Sequence, residues 1–194
     1  MIRFALAATS VAGALALAVP AQAQAQTATY TIDPTHTFVT FEASHFGTSI
    51  SRGRFDKKEG TVQFDRAGKT GKIDISIDMA SISTGVGPFD KHLQSADFFN
   101  AAAHPTARFL ADGFVFEGDK VTRINGTLTL LGKIGPVVLT ASRFNCYDSP
   151  IFKRQICGGD FETTIKRSQW GMNYGLPGIP DDIRLVIQAE AIKQ

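Results

Sequence analysis

Hydrophobic and polar residues alternate with a period of two along most of this chain. Val39, Phe41, Ala43 and His45 fall on one face, Thr40, Glu42 and Ser44 on the other, the pattern of a half-buried strand. The clearest case sets Ile73, Ile75, Ile77 and Met79 against Asp74, Ser76 and Asp78. A slip of one residue there would bury both aspartates, so the register is strongly specified. The same period runs through Gly53 and Phe55, Val62 and Phe64, Ala107 to Ala111, Phe114 and Phe116, Gly126 to Leu130, Val137 to Ala141, Phe161 to Ile165, and Ile183 to Ala191. Turn-type stretches separate these runs: Gly47–Ser51, Lys57–Gly60, Asp65–Lys69, Glu117–Lys120, Gly132–Pro136 and the Gly- and Pro-rich Gly171–Pro180. Asn125-Gly126 is a hairpin signal that competes with Gly118-Asp119. About eight strands at short spacing, without a βαβ rhythm, predict an all-β antiparallel barrel or sandwich. The barrel is preferred. Small residues recur at inward parity (Ala43, Gly53, Ala107, Ala111, Gly126, Ala141, Ala189, Ala191), and eight strands close around a lumen able to hold one small ligand. A sandwich core of mixed residue sizes is the alternative.

The alternation stops once, between Ser81 and Pro105. Gly85, Gly87 and Pro88 break a strand, a short helical segment near residues 88–99 follows, and a small-residue loop leads from Phe98 and Phe99 to Pro105. In a closed barrel such a segment crosses one end and decides what enters, so it is the candidate gate.

Composition adds compartment and partner class. Arg3 precedes an uncharged apolar run from Phe4 to Val19, then Pro20 and two small-x-small triplets ending at Ala23 and Ala25. Residues 1–25 therefore read as a secretory signal peptide; a membrane helix is the other reading of that run, which is shorter than a span requires. Residues 26–194 form one domain, expected in the periplasm. A net charge of +2 offers no footprint for nucleic acid. Phe, at 15 residues against 1 Trp and 3 Tyr, suits a core or an apolar cavity. Cys146 and Cys157 flank a polar insert, and in an exported protein their simplest state is one disulfide; two buried thiols are the alternative.

Chemical motifs are sparse. His36, His45, His92 and His104 make no metal-ligand spacing, so no metal or cofactor is expected. Asp90 and His92 lie in the break, where they form either an acid–base dyad or simply a helix-opening carboxylate and a neighbour. No nucleophile motif accompanies them, and no catalytic residue is assigned. Trp170, after Arg167 and Ser168, reads as a structural plug under a barrel base.

The residues Ile32-Asp33-Pro34-Thr35-His36-Thr37, His45-Phe46-Gly47, Gly53-Arg54-Phe55, Asp90-Lys91-His92-Leu93, Ser95-Ala96-Asp97-Phe98-Phe99, His104-Pro105-Thr106-Ala107-Arg108-Phe109 and Arg167-Ser168-Gln169-Trp170-Gly171 resemble, in order and from about Tyr30 to Ile192, the YceI-like family of small exported lipid-binding barrels. The resemblance implies an extended eight-stranded, lipocalin-like barrel with an apolar tunnel for a polyisoprenoid or isoprenoid quinone, and no covalent chemistry by the protein. It also implies association with cytochrome b561-type membrane proteins as one partner reading. Phe89 stands where the family commonly has Arg, which makes this gate more apolar. The expected ligand contacts are Val39, Phe41, His45, Phe55, Ile75, Ile77, Phe98, Phe99, Phe109, Leu128 and Phe161, with Asp90 and His92 at the gate. Transient contact with a membrane or membrane protein and homodimer formation complete the partner expectations. An enzyme acting on a lipid or quinone through Asp90 and His92 is the competing function.

Overall fold

The computed structural model describes residues 27–194; the signal peptide expected over 1–25 lies outside the described residues. Period-two segments fold into eleven strands: β1 Ala28–Ile32, β2 Phe38–His45, β3 Ser49–Phe55, β4 Lys58–Asp65, β5 Thr70–Asp78, β6 Ile82–Ser83, β7 Thr106–Glu117, β8 Lys120–Leu130, β9 Lys133–Asp148, β10 Gln155–Lys166 and β11 Asp182–Lys193. Among the described residues one α-helix, α1 Gly87–Gln94, lies between β6 and β7. The strands make eight staves of a closed antiparallel barrel. Three staves are bent, so that β1 with β2, β3 with β4, and β5 with β6 each run as one. The barrel closes on β11, whose Ala191–Lys193 pairs with β1 and whose Arg184–Gln188 pairs with β2.

Each bend has a local cause. In the first, the Asp33 carboxylate accepts from the amide and hydroxyl of Thr35 and bonds the His36 ring at 2.8 Å. Thr37 repairs the interrupted ladder by exchanging hydrogen bonds with the backbone of Glu190. In the third, Asp78 caps a single 3-10 turn, Met79–Ser81, at the Ala80 amide. Ser81 ties this bend to the second through bonds from the amides of Asp56 and Lys57.

The up-and-down order places two sets of connections at opposite ends. The β2–β3 turn, α1 and the loop to Pro105, the β8–β9 turn and the loop from Gly171 to Asp181 share one end, called here the mouth. The hairpins at 66–69, 118–119 and 149–154 share the other. Cys146 and Cys157 face each other across β9 and β10 near that second end and form a disulfide.

Four expectations about turns are corrected. Lys57–Gly60 does not reverse the chain: Lys58 begins β4 and is buried, its ammonium 4.6 Å from the centre of the Phe38 ring. Gly132–Pro136 shrinks to a turn at Leu131-Gly132, with Pro136 inside β9 opposite Thr127. Gly47–Ser51 likewise shrinks, because β3 starts at Ser49. Asn125-Gly126 is strand rather than turn, since Gly118-Asp119 already closes the hairpin. The helical segment expected near 88–99 is helix only to Gln94, and Phe98 and Phe99 sit in the turns after it.

Candidate functional site

The inward faces of the staves enclose an apolar lumen with two adjoining chambers of about 500 Å³ and 140 Å³. Val39, Ile77, Leu128 and Leu185 border both. A lumen of this size and lining fits a small apolar ligand. Not every small residue leaves space. A Cβ on Gly53 would meet the Phe41 ring at 2.5 Å, and one on Gly126 would meet the Phe109 ring at 2.6 Å. These glycines make room for neighbouring rings, whereas Ala43 and Ala107 border the larger chamber and Ala189 and Ala191 the smaller.

All eleven residues expected to contact a ligand border the lumen. Phe41, His45, Phe55, Phe98 and Phe99 lie on the mouth chamber, Ile75, Phe109 and Phe161 on the deep one, and Val39, Ile77 and Leu128 between them. Period two selects the nine on strands, since once one residue of a stave faces inward every second one does; Phe98 and Phe99 reach the lumen from the turns after α1.

The two gate residues part company. His92 borders the mouth chamber and Asp90 does not. The Asp90 carboxylate accepts from the Thr84 amide and hydroxyl at 2.7 and 2.6 Å, fixing the chain as it leaves β6. His92 Nε2 instead bonds Asp97 at 3.1 Å. They therefore do not form the dyad their spacing allowed; each is bound to another group.

The gate itself is apolar and aromatic. Phe89 and Leu93 of α1 border the mouth chamber, so the helix presents apolar side chains to the lumen. The rings of His92, Phe98 and Tyr174 meet edge to face at 5.1–5.3 Å, joining the helix to the Gly171–Asp181 loop. Phe99 meets Phe55 at 5.4 Å. Such pairs contribute roughly 0.5–1.5 kcal/mol each beyond area burial.

The alternation offered no guide to the rest of the mouth. Arg167, Met172, Tyr174 and Ile179 border the chamber from a loop without period. Arg167 is 2% exposed. Its guanidinium donates to the carbonyls of Pro180, Met172 and Ile179 at 3.0 Å each, and burial pulls its pKa below the ordinary value, with Asp181 opposing. Ser168 donates twice to Asp181, which holds that carboxyl below its usual range. Trp170 is 1% exposed and donates to the Leu128 carbonyl at 3.1 Å, its ring against Gly135. It is thus a plug in the wall at the mouth and does not border the lumen. In the deep chamber the Tyr30 hydroxyl is committed to Gln155 at 2.7 Å, and burial raises the phenol's pKa.

Among the described residues no cluster of three or more His, Cys, Asp or Glu is arranged to hold a metal, and no helix is long and apolar enough to cross a membrane.

The chain is similar to known proteins. A UPF0312 protein of Azotobacter vinelandii is 34% identical over the full length of both chains. A solved Campylobacter jejuni YCEI protein is 27% identical, with a TM-score of 0.66 over 78% of this chain and 90% of its own. A polyisoprenoid binding domain from Saccharophagus degradans, 16% identical, shares the fold with a TM-score of 0.63 over 85% of this chain and 98% of its own. The YceI-like domain matches residues 30–191, and the chain belongs to that family.

Proposed function

We propose that this protein sequesters or carries an isoprenoid lipid, a polyisoprenoid or an isoprenoid quinone, in the periplasm, as the leader-like first 25 residues suggest. One observation carries the reading: an apolar lumen in two chambers, with Ser44, His45, Ser51, His92, Arg167 and Tyr174 bordering the mouth chamber and the deep chamber almost wholly apolar, its Tyr30 hydroxyl bonded to Gln155. Burying each methylene contributes about 0.8 kcal/mol, so a chain of isoprene units binds here without a strong polar anchor. The structural likeness to a polyisoprenoid binding domain supports the cargo class. The contacts are Val39, Phe41, His45, Phe55, Ile75, Ile77, Phe98, Phe99, Phe109, Leu128 and Phe161. No covalent step and no cofactor are invoked, and Asp90 and His92 shape the gate. Loading requires transient contact with a membrane or a membrane protein; Phe46, Val86, Tyr174 and Leu176 are exposed on mouth-end loops. Solvent extraction of protein purified from its native compartment, followed by mass spectrometry, is expected to release an isoprenoid lipid at near-equal stoichiometry. Reproducibly empty protein overturns the reading.

A further inference from the structure

We propose that a cluster of aromatic rings around Phe64 is a floor that sets the length of hydrocarbon chain the lumen accepts. Phe64, 4% exposed, is surrounded by Phe144 at 5.7 Å, Phe116 at 6.0 Å, Phe114 at 6.1 Å and Tyr30 at 6.3 Å between ring centres. The rings come from β1, β4, β7 and β9, which lie around the barrel, so they converge on its axis. Tyr30, Phe64, Phe114 and Phe144 border the deep chamber, and Phe116 stacks on Phe64 at 14°.

Three features hold the floor in place. The Tyr30 hydroxyl is bonded to Gln155. A Cβ on Gly71 would stand 2.7 Å from the Phe114 ring, so glycine there leaves that ring its position. The disulfide joins β9 to β10 two residues past Phe144, and Cys157 itself borders the deep chamber. Phe64, buried among these rings, has little room to swing aside for the end of a chain, because packed interiors do not deform continuously.

The depth above the floor follows from strand geometry. Lumen-facing positions on β11 run from Ile183 to Ala191, about 26 Å along the strand at ~3.3 Å per residue and roughly 20 Å along a barrel axis tilted by ~40°. Hydrocarbon beyond that depth must stay at the mouth, exposed to water. Each methylene so exposed forgoes about a fourfold gain in affinity, which makes the floor a selector.

The identity of the chain as isoprenoid rests on the function proposed above; the floor does not. The test uses lipid-stripped protein and native mass spectrometry with an equimolar series of isoprenoid alcohols, from farnesol through geranylgeraniol to solanesol and undecaprenol, and a parallel series of straight-chain alcohols. Wild type is expected to show a maximum length. Phe144→Ala shifts the preference to longer chains, raising the ratio of the next longer to the preferred occupant about tenfold or more. Ala189→Phe, which fills the deep chamber from β11, shifts it to shorter ones, and Phe64→Leu serves as a second floor-lowering variant. Melting curves establish that each variant is folded. A purely structural role for the rings lowers melting temperatures and leaves the preferred length where it was, and that result overturns the proposal. Binding of straight-chain alcohols alone, with the shifts intact, sustains the floor and overturns the isoprenoid reading. Binding of neither series overturns both.

Discussion

Arg167 joins three parts of the mouth through one side chain. A guanidinium presents five donors in a rigid plane, and here three carbonyls of the Gly171–Asp181 loop take one bond each. Removing it leaves the Met172 carbonyl buried without that partner and those of Ile179 and Pro180 half-buried without it, at a cost of up to roughly 1–3 kcal/mol for each buried group. Arg167→Met is expected to lower stability by about 3 kcal/mol in urea titration. Limited proteolysis should then cut within Gly171–Asp181, where the wild type resists; an intact loop in the folded variant counts against this role. Trp170 acts at the same scale in a different way. Its indole donates to a strand carbonyl of Leu128 and lies against Gly135, so a side chain at position 135 would displace the ring from the wall.

Among the elements, the β9–β10 hairpin and α1 illustrate opposite means of fixing an end. The hairpin is closed covalently, with Cys146 and Cys157 as direct cross-strand partners. Closing a loop of that length stabilises by about 3 kcal/mol in the chain-entropy account. The Cys146→Ser/Cys157→Ser double variant is expected to melt about 6–12 °C lower by calorimetry, and an unchanged transition would show that the strands hold their register without it. Helix α1 has only eight residues, Gly87–Gln94, too few to persist alone in water. Pro88 in its first turn, the Asp90–Thr84 bonds and the burial of Leu93 hold it in place.

This contrast explains what was legible in the sequence. The staves were, because a half-buried strand repeats every second residue, and the same parity pointed Phe41, Ile77 and Leu128 inward. The bends were not. Lys58 reads as polar punctuation, yet its stem is buried and its ammonium is paired with the ring of Phe38 on the neighbouring stave, a meeting that local sequence does not name. The spacing of Asp90 and His92 allowed either a dyad or a helix-opening carboxylate; Asp90 lies in the first turn of α1 and bonds Thr84, and His92 bonds Asp97. The mouth loop and the ring cluster were illegible for one shared reason. Arg167 meets Ile179 only when the β10–β11 connection folds back, and Phe64 meets Phe144 only after the barrel closes, and no local period records such meetings.

At the scale of the molecule, the apolar lumen ties stability to occupancy. A ligand that binds only the folded barrel stabilises it by RT ln(1 + [L]/Kd), about 2.7 kcal/mol at a hundredfold excess over Kd. Stripping the lipid is therefore expected to lower the melting temperature, and adding back the extracted lipid to restore it. A melting temperature indifferent to stripping would mean that the chambers are ordinary core space. The disulfide and the ring cluster lie at the end away from the mouth, so the loss of stability on stripping should show first in hydrogen exchange of α1 and the Gly171–Asp181 loop.

The proposed floor at the deep end also bears on what kind of traffic this barrel can support. If Phe64 and its neighbours form the floor proposed above, the lumen is a cul-de-sac. A tail enters first and leaves last, through the same opening. Such a vessel cannot serve as a fixed conduit that relays lipid from one membrane to another. It has to travel with its cargo, or keep it, and must turn the same face toward donor and recipient in succession.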